Sequence, residues 1–181
     1  MAIYNVFEST NMGSTRYAEP ILDVVADVDV ENGTFGYLDG LIEGRADLYN
    51  FVVGYKAGAK VVVADQPAWT EDTCRRTNQR KDKFIIKAGT PFRVRVVKAT
   101  DKFSTAIEGF TVETRENANV DKFATIDAAT GKLVVADAPV EGAIMNAKIE
   151  KVRILGGLIE TAVRNYGYTR KMYDLRVESM A

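Results

Sequence analysis

The chain has no histidine and one cysteine, Cys74, in 181 residues. Without an imidazole the commonest general base and the commonest metal ligand are missing. Ser-His and Cys-His nucleophiles are excluded, as is a zinc site of the usual Cys/His kind. One thiol cannot close an intramolecular disulfide, so the chain does not read as a stapled secreted domain. Cys74 lies beside Arg75 and Arg76, which favours a thiolate. With no second thiol to work with, it reads as a small packed or surface residue. Long apolar runs are absent too: none approaches the roughly 20 residues a membrane helix needs. The first residues lack a basic stretch followed by an apolar one, so no signal peptide is expected. Charge of one sign is also lacking. Lys plus Arg number 24 against 25 Asp plus Glu, a formal net charge of -1. Nothing therefore draws the whole chain to nucleic acid or an anionic membrane. These absences predict a soluble, non-enzymatic protein made in a reducing cytosol, with no cofactor and no metal.

What is present suits a folded domain. Hydrophobic residues make up 46% and charged residues 27%, enough apolar material for a sizeable core. The dominant pattern is period-two alternation, the signature of strands with one face buried. In Ile21–Val30, Val24, Ala26, Val28 and Val30 share one face while Asp23, Asp27 and Asp29 share the other. Asn32-Gly33 then reads as a tight turn leading into a returning strand over Thr34–Leu38. Asp47–Val53 and Ala59–Ala64 read as strands. In Asp82–Ala106, Phe92, Val94 and Val96 alternate with Arg93, Arg95 and Val97. The Gly89-Thr90-Pro91 turn makes this segment read as a hairpin with a charged outer face. Further strands are expected over Gly109–Glu113, Phe123–Ile126, Lys132–Ala136 and Tyr173–Val177. Ile144–Leu155 fits neither strand nor helix period cleanly. Residues 69–81 carry acids first and bases last, which suits a short surface helix.

Short strands with a turn every dozen residues or so specify an all-β barrel or sandwich-like domain with at most one or two short helices. Residues 1–20 are polar and mixed, and read as an extended N-terminal arm; residues 21–181 form the β-rich domain. The arm's apolar residues Tyr4, Val6 and Phe7 are expected to bury against a partner.

No group of side chains announces chemistry. In the acid group Asp23, Asp27, Asp29 and Glu31 the three aspartates lie on one strand face rather than in a calcium loop, and the group reads as a solvated face. Gly33, Gly36 and Gly40, like Gly54 and Gly58, match no phosphate-binding pattern and read as turn punctuation. The basic cluster Arg75, Arg76, Arg80, Lys81 and Lys83, near Trp69, lacks the aromatic interleaving of a nucleic-acid site. It reads as a solvated face or a protein contact. Arg93 and Arg95 must point out of the core, toward an acidic neighbour within the fold or on a partner.

Three groups of residues carry a resemblance. Val30-Glu31-Asn32-Gly33 precedes Thr34–Gly40. Phe84–Lys87, Gly89-Thr90-Pro91 and Arg93 precede Asp101-Lys102-Phe103-Ser104-Thr105. Thr130-Gly131-Lys132-Leu133 precedes the closing strand to Val177. Over residues 20–180 the chain resembles the decoration, or accessory-capsid, proteins of tailed-bacteriophage heads. It departs from them at Thr100, where a glycine usually precedes the acid. The resemblance implies a virion structural protein that binds the outer surface of the capsid and stabilises it. Its partners would be the major capsid protein and lattice neighbours or other copies of itself, after synthesis in the host cytoplasm. Candidate partner contacts are Tyr4, Val6, Phe7, Trp69, Arg93 and Arg95. Other β-rich virion parts, such as a tail-tube, connector or adhesion subunit, and a small carbohydrate- or ion-binding module, remain alternatives.

Overall fold

The computed structural model describes residues 3–13, 21–68, 81–155 and 170–181. Two β bodies share this chain. Strands β2 (Ile21–Val25), β3 (Phe35–Leu41), β4 (Leu48–Val53), β5 (Val62–Ala64) and β6 (Phe92–Val96) close a barrel in the order β2-β4-β3-β5-β6. The pairs are antiparallel except β2 with β4. Strands β1 (Phe7–Asn11), β7 (Lys102–Ala106), β8 (Phe123–Ile126), β9 (Leu133–Ala136), β10 (Met145–Leu155) and β11 (Arg170–Met180) form a six-stranded sheet in the order β1-β7-β11-β10-β8-β9. The all-β expectation is met, barrel included.

Alternation explains each body. Val24, Phe51, Val62, Ala64, Phe92 and Val94 fill the barrel, where the Phe51 and Phe92 rings meet edge-on with centroids 5.3 Å apart. The sheet turns Phe103, Ala147, Ile149, Tyr173, Leu175 and Val177 toward the barrel wall, which answers with Phe35, Val61, Val63 and Val97. The run Val61–Ala64 is apolar throughout because this part of the chain is buried on both sides. Val62 and Ala64 face the barrel interior and Val61 and Val63 the sheet, as expected of a strand with no solvent face.

Several connections differ from the expectation. The segment 3–13 is extended, as anticipated, but it is not a free arm. It returns to the sheet of the C-terminal half, where β1 pairs with β7. Asn32-Gly33 does not join a hairpin, since β2 pairs with β4 and β6. Instead the Asn32 amide bonds the backbone of Gln66 in both directions, at 2.7 and 2.9 Å. The Gly-Thr-Pro turn is no hairpin either. It links the Val30–Ile86 bridge to β6, and β6 and β7 then enter different bodies. Gly109–Glu113 forms no strand: Ile107–Gly109 is a 3-10 turn and only Phe110 makes a bridge, to Leu133. The hairpin of Phe123–Ile126 with Leu133–Ala136 stands as read. Ile144–Leu155 resisted a period because β10 carries an extra residue at Ile149/Lys151, while the slip at Asn146/Ala147 places its extra residue on β11. Met145, Ala147 and Ile149 lie in the core, and past the extra residue Val152 takes that face. The helix expected over 69–81 lies outside the described residues, apart from Lys81 in the Lys81–Lys83 turn.

Two glycines placed in turns by the sequence prove to be contact points between the bodies. A Cβ on Gly54, which has φ +96°, would stand 2.0 Å from the Ala128 carbonyl oxygen. One on Gly131, φ +62°, would stand 2.2 Å from the Phe35 carbonyl oxygen. The β8–β9 turn thus docks backbone-to-backbone on the barrel, with Phe35 N–H donating to Gly131 O at 2.8 Å and Gly54 N–H to Phe35 O at 3.0 Å.

Candidate functional site

The residues singled out by sequence do not converge. Val6 and Phe7 are 2% and 7% exposed. Val6 packs on Ala106 and Met172, while the Phe7 ring lies 5.5 Å from that of Phe103. Both are internal, which corrects the expectation of a partner contact: a strand pairing supplied by β7 brings them into the core despite their polar neighbours. Tyr4 is half-buried, and its backbone is held by Asp82 O at 2.9 Å and by Arg170 Nη1 at 3.2 Å. Arg95 pairs with Asp65, both side chains only 16% exposed. Ser9 Oγ donates to the same carboxylate at 2.6 Å. Arg95 therefore serves the junction of barrel and β1. Arg93 is exposed, with Asp23 directly opposite in the register. Trp69 lies outside the described residues, as does Cys74.

The acid row also divides by role. Asp29 caps the turn before β6, accepting from Lys87 Nζ at 2.7 Å and Ala88 N–H at 3.0 Å. The Lys87 bond is the first cause holding its carboxyl below the usual range. Glu31 belongs to a polar seam between the bodies. One of its oxygens accepts the Asn5 N–H at 2.8 Å and the other lies 3.2 Å from Lys132 Nζ. The buried Asn5 amide donates to Asn32 O at 2.8 Å and accepts from Thr105 Oγ1 at 3.0 Å. Nearby, Arg170 reaches Glu108 at 2.8 Å and the fully buried Asp82 at 3.2 Å. Such networks fix one relative orientation of the packed elements when their members are satisfied.

The face of the sheet turned away from the barrel carries a surface feature that the sequence reading missed. It is a polar hollow of about 390 Å³ lined by Glu8, Thr10, Lys102, Ser104, Glu150, Arg153 and Asp174, among others. Glu8 on β1 and Arg153 on β10 are three strand positions apart, about 14 Å at the usual spacing. Their side chains nevertheless meet, arching over β7 and β11. Beneath them Arg153 Nε donates to Asp174 Oδ1 at 2.9 Å and Ser104 Oγ to the same oxygen at 2.6 Å. Asp174 first and Glu8 second hold the guanidinium in its charged form. Lys102 Nζ bonds Glu150 at 2.6 Å alongside. The only sequence sign of this cluster was the polar half of each alternation. Side chains from four strands, brought together by pairing order, cannot be grouped from spacing.

Chemically the hollow is a set of satisfied ion pairs. Ser104 donates to a carboxylate already neutralised by a guanidinium, which is a poor base for activating it. Among the described residues no three acid or thiol side chains gather as a metal would require. Set against protein-family models, curated proteins and solved structures, the chain matches none.

Proposed function

We propose that the protein is a non-enzymatic virion component that binds the outer surface of a bacteriophage capsid and stabilises the shell. One observation carries the reading. The residues on which the resemblance to head decoration proteins rests hold the passage from barrel to sheet. Asp101 is 5% exposed and accepts the Lys98 N–H at 2.9 Å and the Gly13 N–H at 2.8 Å. Thr100, which replaces the glycine of the resembling proteins, has φ +75°, the region in which a glycine is the ordinary choice. Phe103 packs between Phe7 and Phe35, with centroids 5.5 and 5.6 Å away. The Thr130-Gly131 turn forms the backbone contact between the bodies. Part of the resemblance therefore falls on residues with architectural work, Asp101, Phe103 and Gly131, while Arg93 and Lys102 lie at the surface.

Binding the assembled shell and not its free subunits would stabilise it by mass action, and many copies would multiply a modest contact. Among the described residues expected from sequence to be contacts, Arg93 is the exposed one. The test is to isolate particles of the phage that encodes the chain, establish its presence by mass spectrometry and locate it by labelled electron microscopy. Density on the outside of the head supports the reading. A label on the tail would move the chain to another virion role, and absence from particles would overturn the virion reading.

A further inference from the structure

We propose that residues 3–13 are an exchangeable strand: the slot they fill at the edge of β7 accepts the same segment from a second copy of this chain. The segment behaves as a ligand on the rest of the fold. Its bonds to other parts of the chain begin 26 positions away, at Glu31, and extend to Arg170, 166 positions away. It occupies an outer position of the sheet, paired with β7 through Phe7, Glu8 and Asn11 and slipping register between the last two.

The slot recognises this sequence in particular. Val6, Phe7 and Met12 are the buried anchors. The carboxylates of Glu31 and Asp101 take the N–H groups of Asn5 and Gly13 near its two ends. Between them Asp65 takes the Ser9 hydroxyl and Arg153 takes Glu8. Main-chain pairing with side-chain pockets is how an extended peptide adds to a sheet edge, and here the peptide is the chain's own. The contacts are the same whether the strand comes from its own body or a neighbour's. Local concentration then sets the balance. This needs only a second copy and does not rest on the capsid reading.

The test uses full-length chains in a Cys74→Ser background. Glu8 and Ser104 are register partners, so a chain with both Glu8→Cys and Ser104→Cys should close a disulfide within itself on mild oxidation. Chains carrying Glu8→Cys alone are then mixed at high concentration with chains carrying Ser104→Cys alone, incubated and oxidised. Exchange yields a covalent two-chain species joined through the introduced thiols, in a fraction that rises with concentration. Pairing Glu8→Cys with Val112→Cys, a residue 67% exposed and outside the slot, should yield none above background. The register pair Asn11 and Lys102 gives a second set, Asn11→Cys and Lys102→Cys, should Glu8→Cys disturb its contact with Arg153. If the double variants close internally while neither mixture links two chains, the strand does not exchange. If neither double variant closes, the slot itself is misassigned.

Discussion

Thr100 is a branched residue in a conformation that L side chains avoid, with φ +75°. The left-handed region costs a non-glycine residue about 1–2 kcal/mol. The strain persists because both sides of the turn are fixed: Thr100 N–H donates to Val177 O at 2.8 Å and Asp101 N–H to Lys98 O at 3.2 Å. Thr100→Gly should release it, offset in part by the greater freedom of glycine in the unfolded chain. A net gain of roughly 0.5–1 kcal/mol is expected, read as a melting temperature higher by about 1–4 °C. An unchanged or lower value would show that Thr100 is not strained. Arg93 and Arg95 separate at the same level of detail. From sequence they were equivalent, since alternation assigns both to one face. Only pairing order shows that the outer side at Arg95 meets Asp65 and β1. Arg95→Gln should cost about 3 kcal/mol, as for breaking a largely buried ion pair. Arg93→Gln, opposite Asp23, should stay within about 0.5 kcal/mol. Chemical denaturation of the two single variants checks the split, and equal losses would contradict it.

Strand β1 shows what local reading can and cannot reach. Its composition is polar, and by composition alone it was an arm. Burial there depends on three anchors, Val6, Phe7 and Met12, that meet partners about a hundred positions away. A window of neighbouring residues holds no trace of that. Strands whose two faces differ, such as β6 and β11, were legible because one buried face imposes period two. In β10 the alternation is interrupted by the extra residue at Ile149/Lys151. Phe7→Ala should cost on the order of 3–5 kcal/mol, the range for emptying an aromatic site in a core. Removing residues 2–13 should leave a chain that folds but melts well below the full-length protein, because Phe103 and Phe35 lose the cover of Phe7. A truncated product with the full-length melting temperature, by circular dichroism, would return the segment to the status of a free arm.

Barrel and sheet were legible as a class but not as two bodies, because strand content follows from periodicity whereas partner choice is non-local. The Gly-Thr-Pro turn was read as a hairpin on the default that consecutive strands pair, and the chain instead crosses from one body to the other at Asp101. The charges of the assembled molecule yield a further expectation. With no histidine in the chain, no side chain of ordinary pKa changes charge between about pH 5.5 and 8 apart from the onset of Cys74 ionisation. Stability should therefore be flat across that interval. Below it, Asp29, Asp47, Asp127 and Asp137 all titrate lower in the fold than their ordinary value of 3.8. The first causes are bonds from Lys87, Arg45, Thr130 and Lys122 respectively. A depressed carboxyl binds its proton more weakly folded than unfolded. Its contribution is therefore full above 3.8 and disappears as pH falls through the folded value. Denaturation midpoints should hold level from pH 8 down to about 5 and decline below about 4. Salt should shrink the part of that decline due to Asp29, Asp47 and Asp137, whose partners are cations at the surface, and leave the part due to Asp127, whose first partner is the neutral Thr130 hydroxyl. A break in stability near pH 6–7 that persists in Cys74→Ser would mean that an acid in the fold is shifted far upward, contrary to the direction found for these four.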